Sequence, residues 1–297
     1  MELSIAILVY CFSPLKLVEE LLKQARNLGV NFEILVYDDG SGPIWQEQLS
    51  TELEPLPEVF LHKGSQNQGR AAGRNILASK ASGKYILMID GDNRIDSPHF
   101  LSDYFNVRKP KTVIVGGRYT DDKALPGTEL RWLFAQKREV QDLAERKAHP
   151  YENFQTNCFL ADAEIFRKLK FEENLKTYGY EDSLFGFALE AEGIPILHIQ
   201  NPQYHAADDR NLAFLAKSEE AMESLIWIQQ NHPQWAHRFK LLRILNTLKK
   251  WKLERISYSL LNAWEKSLRS SLDSPGPSLW RFDLFRLHRL IQADLHQ

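Results

Sequence analysis

YILMIDGDN, residues 85–93, sets the expectation for the whole chain. Tyr85, Ile86, Leu87, Met88 and Ile89 form a short apolar run with the length of a buried strand, and it ends on two carboxylates, Asp90 and Asp92, held apart by Gly91. In an open α/β sheet, ligands bind outside the carboxyl ends of the strands, so acids placed there face a crevice and not the core. Two carboxylates this close repel unless a proton or a cation sits between them. A divalent metal on a phosphorylated ligand is the natural occupant. The bland alternative is a solvated acidic turn, and the apolar strand that precedes the acids weighs against it.

Working back from this strand, short apolar runs alternate with helical patterns. Residues 3–10 are an apolar run, and Ser13 and Pro14 suit an N-cap and first helical position. Val18, Leu21, Leu22, Ala25 and Leu28 then repeat at helical spacing up to the stop at Gly29. Residues 32–37 and 59–62 predict two further strands, with a helix near 45–53 between them, and residues 67–79 a loop and helix. Such alternation calls for a mostly parallel sheet with helices on both faces and right-handed crossovers. Parallel strands share their carboxyl end, so Tyr10, Asp38, Asp39 and Asp90 are expected at one edge of the sheet.

Forward of Asp92 the regularity changes. Ser97 and Pro98 open a helix, residues 112–115 read as a strand, and Gly116-Gly117 as a turn. Residues 128–146 predict one long mixed-charge helix, 156–160 a short strand, and Asp162 a cap for a helix through Leu169. A helix is expected over 181–192 and a last strand over 194–199, ending at the loop NPQYHAADD. From about Asn211 the composition is helical, and SPGP at 274–277 splits the tail into two parts. Beyond Ala236 the tail has twelve Lys or Arg against five acids.

The 297 residues, 43% hydrophobic and 26% charged, are ordinary for a globular enzyme or binding protein. A net charge of -2 argues against a general nucleic-acid binder. Cys11 and Cys158 lack metal-type spacing and read as free thiols in a reducing compartment. The early Glu2, the missing small-residue cleavage site and the absence of a long apolar run give a cytoplasmic expectation.

Four further motifs carry chemistry, each with a structural alternative. YDDGS, residues 37–41, puts acids after the second strand, where a carboxylate can accept from a ribose hydroxyl or a base imide, or can cap the next helix. NQGRAAGRN, residues 67–75, joins glycines to Arg70 and Arg74 at a helix start, a combination suited to phosphate, or to a loop with exposed arginines. GYEDSLFG, residues 179–186, sets Glu181 and Asp182 in a helical first turn, where the dipole favours acids, or in a partly dry wall that tunes a base. His205 follows a strand and is either a surface histidine or a ligand.

In this order, SIAILVY, YDDGS, NQGRAAGRN, MIDGDN, GYEDSLFG and Tyr204-His205 resemble the family 2 glycosyltransferases of the GT-A fold, over about two-thirds of the chain. GGR at 116–118, PYENF and TNCF are similar to a bacterial subgroup of that family. The resemblance implies a Rossmann-like sheet at residues 1–230, with a nucleotide-binding half at 1–95 and an acceptor-binding half at 96–230, followed by a helical C-terminal extension at 231–297. It implies inverting transfer of a hexosyl or N-acetylhexosaminyl group from a nucleotide-diphospho-sugar, UDP-sugar foremost, to a glycan or lipid-linked acceptor. Mn2+ or Mg2+ is the implied cofactor, and polysaccharide or glycoconjugate synthesis the implied setting.

By motif position, Tyr10, Asp39, Asn67, Arg74, Asp90 and Gly91 are implied in nucleotide binding, and Asp92 of the DXD motif and the late histidine His205 as metal ligands. Asp182 is implied as the general base, with Glu181 orienting donor or acceptor. One departure stands at the first strand end, where the family often reads P-V-Y-N and this chain reads Leu8-Val9-Tyr10-Cys11. A nucleotidyltransferase would want a glycine-rich basic loop after the first strand, which CFSPLK does not supply. A non-catalytic nucleotide-sugar-binding protein is the other class. The basic, Trp-rich tail can pack as a helical cap or lie on an anionic membrane as a peripheral contact.

Overall fold

The computed structural model describes residues 1–175 and 178–296. In chain order the elements are β1 (Leu3–Val9), α1 (Leu15–Asn27), β2 (Phe32–Asp38), α2 (Pro43–Leu53), β3 (Val59–Lys63), α3 (Arg70–Lys80) and β4 (Tyr85–Asp90). There follow β5 (Asn93–Arg94), α4 (Phe100–Asn106), β6 (Val113–Val115), β7 (Arg118–Tyr119), α5 (Glu129–Phe134), α6 (Leu143–Ala148), β8 (Cys158–Asp162), α7 (Ala163–Lys168) and α8 (Glu181–Ala191). The chain continues through β9 (Ile196–His198), β10 (Gln203–His205), α9 (Asn211–Asn231), α10 (Pro233–Ala236), α11 (Lys240–Lys250), α12 (Glu254–Leu272) and α13 (Leu279–Leu295). These form two compact units, one of residues 1–119, 140–174 and 181–206, the other of 120–139, 175–180 and 207–297.

The first unit is built on a seven-stranded sheet in the order β3-β2-β1-β4-β8-β6-β9, in which β8 alone runs antiparallel to its neighbours. Its two faces separate by strand alternation. Leu3, Ile5, Ile7 and Val9 of β1, with Tyr85, Leu87 and Ile89 of β4, pack against Val18, Leu21, Leu22 and Phe100 of α1 and α4. Ala6, Ile86 and Met88 turn the other way, toward Ala71 and Leu77 of α3 and Phe185 and Leu189 of α8. Helices thus cover both faces of a mostly parallel sheet, as the alternating sequence pattern predicts. A second, three-stranded sheet, β5-β10-β7, lies in the same unit and was not expected from the sequence.

The long helix expected at 128–146 is divided. Helix α5 runs into a π-helical turn at Ala135–Glu139, and α6 starts afresh because the Asp142 carboxylate accepts the Glu145 amide at 2.8 Å. Asp162 caps α7 as predicted, accepting the Glu164 amide at 2.9 Å. The last expected strand, at 194–199, contains β9, but β10 follows it.

The second unit is helical. Leu130, Phe214, Leu215, Leu272, Phe282 and Phe285 form its core, with Phe134 packed edge-on against Phe282. Asn211 is buried at its centre: its Oδ1 accepts the Leu130 amide at 2.9 Å and its own amide donates to Gly127 O at 2.7 Å. The SPGP segment separates α12 from α13 as expected, and further breaks fall at 232, at 237–239 and at 251–253. Among the described residues, no helix is long and apolar enough to cross a membrane.

Candidate active site

The register of the parallel strands fixes one edge of the sheet. Val9 pairs with Asp38 and Leu8 with Asp90, so β1, β2 and β4 deliver their last residues to a common level. Tyr10 follows β1 there and is exposed. Cys11 comes next at φ 50°, its amide donating to Ser41 Oγ at 2.6 Å. A left-handed backbone is tolerated well by Asn and poorly by most other residues, so the departure at Cys11 falls on a conformationally demanding position. Cys11 and Cys158 are both free thiols. Burial pushes the Cys158 thiol up to about 12.

Asp38 and Asp39 do different work from one another. Asp38 is buried and accepts the Gln46 side chain at 2.9 Å and the Ser41 amide at 3.2 Å, so it organises the turn into α2. Asp39 is also buried, and its two oxygens accept the amides of Gln68 and Gly69, both at 2.9 Å. It therefore ties the NQG loop to the strand end. Burial raises its carboxyl above the ordinary range, and the two amide bonds oppose that shift. Asn67, on the same loop, is exposed. The approach of that loop requires Gly40, at φ 77°, because a Cβ there would lie 2.6 Å from the Asn67 nitrogen.

Helix α3 brings Arg74 to the first acid of the DGD turn. Arg74 is 2% exposed, its Nη2 lies 2.7 Å from Asp90 Oδ1, and its Cζ lies 5.7 Å from the Phe171 ring centroid. The other terminal nitrogen, Nη1, is buried without a hydrogen-bond partner among the described residues. A buried guanidinium nitrogen with nothing to donate to is a ready donor for an anionic ligand at this edge. Gly91 lies so close to β1 that a Cβ would meet Val9 Cγ1 at 2.4 Å. Asn93 locks the turn from behind, donating to Asp90 O at 3.0 Å and Asn157 O at 2.8 Å.

His205 reaches this turn by strand pairing. In the small sheet β10 runs antiparallel to β5 with His205 opposite Asn93, the residue after Asp92. One ligand atom from each of Asp90, Asp92 and His205 lies within 4.8 Å of the others, the one such group among the described residues that could hold a metal ion. His205 Nε2 faces Asp92 Oδ1 at 3.8 Å, and Nδ1 lies 2.8 Å from Ala206 O and 3.1 Å from Arg118 Nη2. With the proton on Nδ1 that nitrogen donates to the Ala206 carbonyl and the Nε2 lone pair turns toward the acids, whereas with Nδ1 accepting from Arg118 Nη2 the proton sits on Nε2, toward Asp92. Two carboxylates and one imidazole are donors suited to Mn2+ or Mg2+, the imidazole favouring the former. Arg118 was not singled out from the sequence beyond the GGR motif, since nothing local to it signals a histidine so distant along the chain.

Glu181 and Asp182 open α8. Glu181 Oε1 lies 3.8 Å from Arg70 Nη1, and Asp182 Oδ1 accepts the Ser183 amide at 2.8 Å. Arg70 and Arg74 are one turn apart on α3, so one helix bears on both Glu181 and Asp90. Both acids are partly buried.

Acids gathered at the carboxyl edge of a largely parallel sheet, with one antiparallel strand and a small companion sheet, define the GT-A fold of the glycosyltransferases. The structure is similar to that of the mannosyltransferase PcManGT from Pyrobaculum calidifontis, solved in complex with GDP-Man and Mn2+. The TM-score is 0.62 at 16% identity, over 99% of this chain and 86% of that one. S. aureus TarS 1-349 gives a TM-score of 0.50 at 14% identity, over 100% of this chain and 92% of that one. Residues 5–173 match glycosyl transferase family 2, and the chain belongs to that family. An uncharacterized glycosyltransferase of Rickettsia felis is 38% identical over 76 residues, 26% of this chain and 12% of the relative. The dolichyl-phosphate beta-glucosyltransferase of Dictyostelium discoideum is 34% identical over 82 residues, 26% of this chain and 24% of the relative. The chain thus spans no more than 24% of the length of either curated relative.

Proposed function

We propose that this chain is a metal-dependent inverting glycosyltransferase that moves a hexosyl or N-acetylhexosaminyl group from a nucleotide-diphospho-sugar to a hydroxyl of a glycan or lipid-linked acceptor. The observation that carries the proposal is the convergence of Asp90, Asp92 and His205 beside the buried guanidinium of Arg74. Residues 1–95 bind the donor and residues 96–230 the acceptor. UDP-sugar is the foremost donor, and polysaccharide or glycoconjugate synthesis the setting.

Asp92 and His205 would hold Mn2+ or Mg2+, with Asp90 beside them. When bound, the metal supplies charge neutralisation at the departing diphosphate. Arg74 holds Asp90 and offers Nη1 to the diphosphate side. Tyr10 lies against the nucleoside. Asp39, by holding the Gln68 and Gly69 amides, fixes the loop that carries Asn67 beside it. Gly91 lets the acidic turn sit close to β1. Asp182 accepts the proton of the acceptor hydroxyl as that oxygen attacks the anomeric carbon from the face opposite the diphosphate. Glu181, held by Arg70, orients the substrates. A single displacement of this kind inverts the anomeric configuration.

A screen of UDP-, GDP- and TDP-sugars by calorimetry, with and without Mn2+, followed by a hydrolysis assay, tests the proposal. Mn2+-dependent binding with slow turnover is expected. Binding without any turnover, even with a panel of acceptors, points to a non-catalytic nucleotide-sugar protein, and no binding of any donor overturns the proposal.

A further inference from the structure

Helix α12 presents an apolar stripe to solvent. Leu253 at its N-cap, then Ile256, Leu260 and Trp264, follow one another at intervals of three and four residues and so lie along one face. Ile256 is 58% exposed, Leu260 66% and Trp264 61%. Leu268 and Leu272, one and two turns beyond Trp264, are buried, and Tyr258, further round the helix, stacks on His288 of α13. The line of the stripe thus runs into the packed core at its C-terminal end, while Ile256, Leu260 and Trp264 over the first turns are left uncovered. Trp251, 69% exposed, extends the apolar surface into the preceding turn.

The charge around the stripe has one sign. Residues 240–272 contain eight Lys or Arg and two acids, Glu254 and Glu265. Glu265 is turned inward onto Arg289 and Arg269. Arg255 and Lys266, three turns apart, lie on the far edge of the exposed side of the helix, about 130° round from the stripe, and Lys250 and Lys252 lie at its N-terminal end, all exposed. Tryptophan and aliphatic side chains along one edge of the exposed side, lysine and arginine along the other and at its N-terminal end, and no exposed acid on the helix are complementary to a negatively charged bilayer surface. A second copy of this chain would bring the same positive charges together, which disfavours self-association through this face.

We propose that α12 and the turn before it form a docking surface for anionic lipid bilayers, with the apolar stripe at the acyl boundary and the cations of the turn and of the other exposed edge on the headgroups. The surface is independent of the donor site, and its test needs no turnover.

The full chain is sedimented with vesicles of phosphatidylcholine alone or with roughly 30% phosphatidylglycerol, at low and high salt. Binding to the anionic vesicles is expected, weakening as salt rises. Combined Lys252→Glu and Arg255→Glu should reduce the partition coefficient by about fivefold or more per charge. Leu260→Asp with Trp264→Ser should abolish binding at both salts. Thermal melts show that each variant is folded, and the salt series on the unaltered chain stands even if one variant is not. A folded chain that stays in the supernatant at low salt overturns the proposal. So does lipid binding that neither pair of substitutions changes, or a dimer lost on Leu260→Asp with no lipid binding at all.

Discussion

Arg74 braces Asp90 from the helix side, Nη2 to Oδ1 at 2.7 Å, and the guanidinium is buried while the carboxylate is partly open to solvent. The pair fixes the orientation of the first acid in the DGD turn before any ligand arrives. Replacing Arg74 by Met keeps much of the side-chain volume and leaves Asp90 without this partner. Because Asp90 retains access to water, the expected loss is about 2 kcal/mol and not the larger cost of a wholly buried pair. Urea denaturation measures it, and an unchanged midpoint would remove the bracing role.

Asp92→Ala and His205→Ala should each weaken Mn2+-dependent nucleotide binding by about tenfold or more, with little effect on binding measured in chelator. The ligand atoms of these residues converge with that of Asp90 within 4.8 Å. Calorimetry with UDP in Mn2+ and in EDTA separates the two contributions. Equal losses in both conditions would speak against metal ligation.

Asp182→Asn should lower turnover by about 10²–10⁴-fold while leaving Mn2+-dependent UDP binding in place. The amide keeps the size of the side chain and can still accept the Ser183 amide, so the start of α8 is preserved. Normal turnover by this variant would sink the base assignment.

Gly91→Ala should cost about 1–3 kcal/mol and displace both acids. The added methyl would lie 2.4 Å from Val9 Cγ1 and 3.1 Å from Leu8 O, so β1 and the acidic turn cannot both stay where they are. Metal-dependent nucleotide affinity should fall together with thermal stability. A variant that keeps both would show that the turn has slack.

Acidification should destabilise the fold through histidines held neutral. Burial holds His62, His198 and His288 below their ordinary value of 6.5, and His288 is fully buried with both ring nitrogens unpartnered among the described residues. Beside it, Arg289 deepens the shift and Glu265 opposes it. Folded pKa values below the unfolded ones mean that the unfolded chain binds protons first. Stability present above 6.5 is therefore lost as pH falls through that value toward the folded pKa values. Urea midpoints at about pH 7.5 and about pH 5.5 should show the drop, and His288→Phe should make it shallower. An identical slope in that variant would rule out His288 as a contributor.

Much of the fold was legible because its signals are local. The apolar runs of β1, β2, β3 and β4 and the helical periodicity of α1 specify a parallel sheet, and parallel strands necessarily deliver Tyr10, Asp39 and Asp90 to one edge. The DGD turn, the Asp162 cap and the SPGP break were equally readable, since each is a property of a few adjacent residues. The helix expected at 128–146 failed for the converse reason: its composition is helical throughout, and the competing cap at Asp142 acts through a single hydrogen bond.

The site itself divides in the same way. Sequence alone determined that two acids end a buried strand, because a hydrophobic run followed by Asp-Gly-Asp has few other places to lie. Tertiary structure decided their company. The two residues of β5 and three of β10 are too short for any periodic signal, yet their pairing sets His205 opposite Asn93 and beside Asp92. Arg70 and Arg74 were visible as basic residues, but only the packing of α3 gives Glu181 to one and Asp90 to the other. Strand ends follow from local hydrophobicity, whereas contacts between distant short segments are fixed by the packing of the elements that carry them.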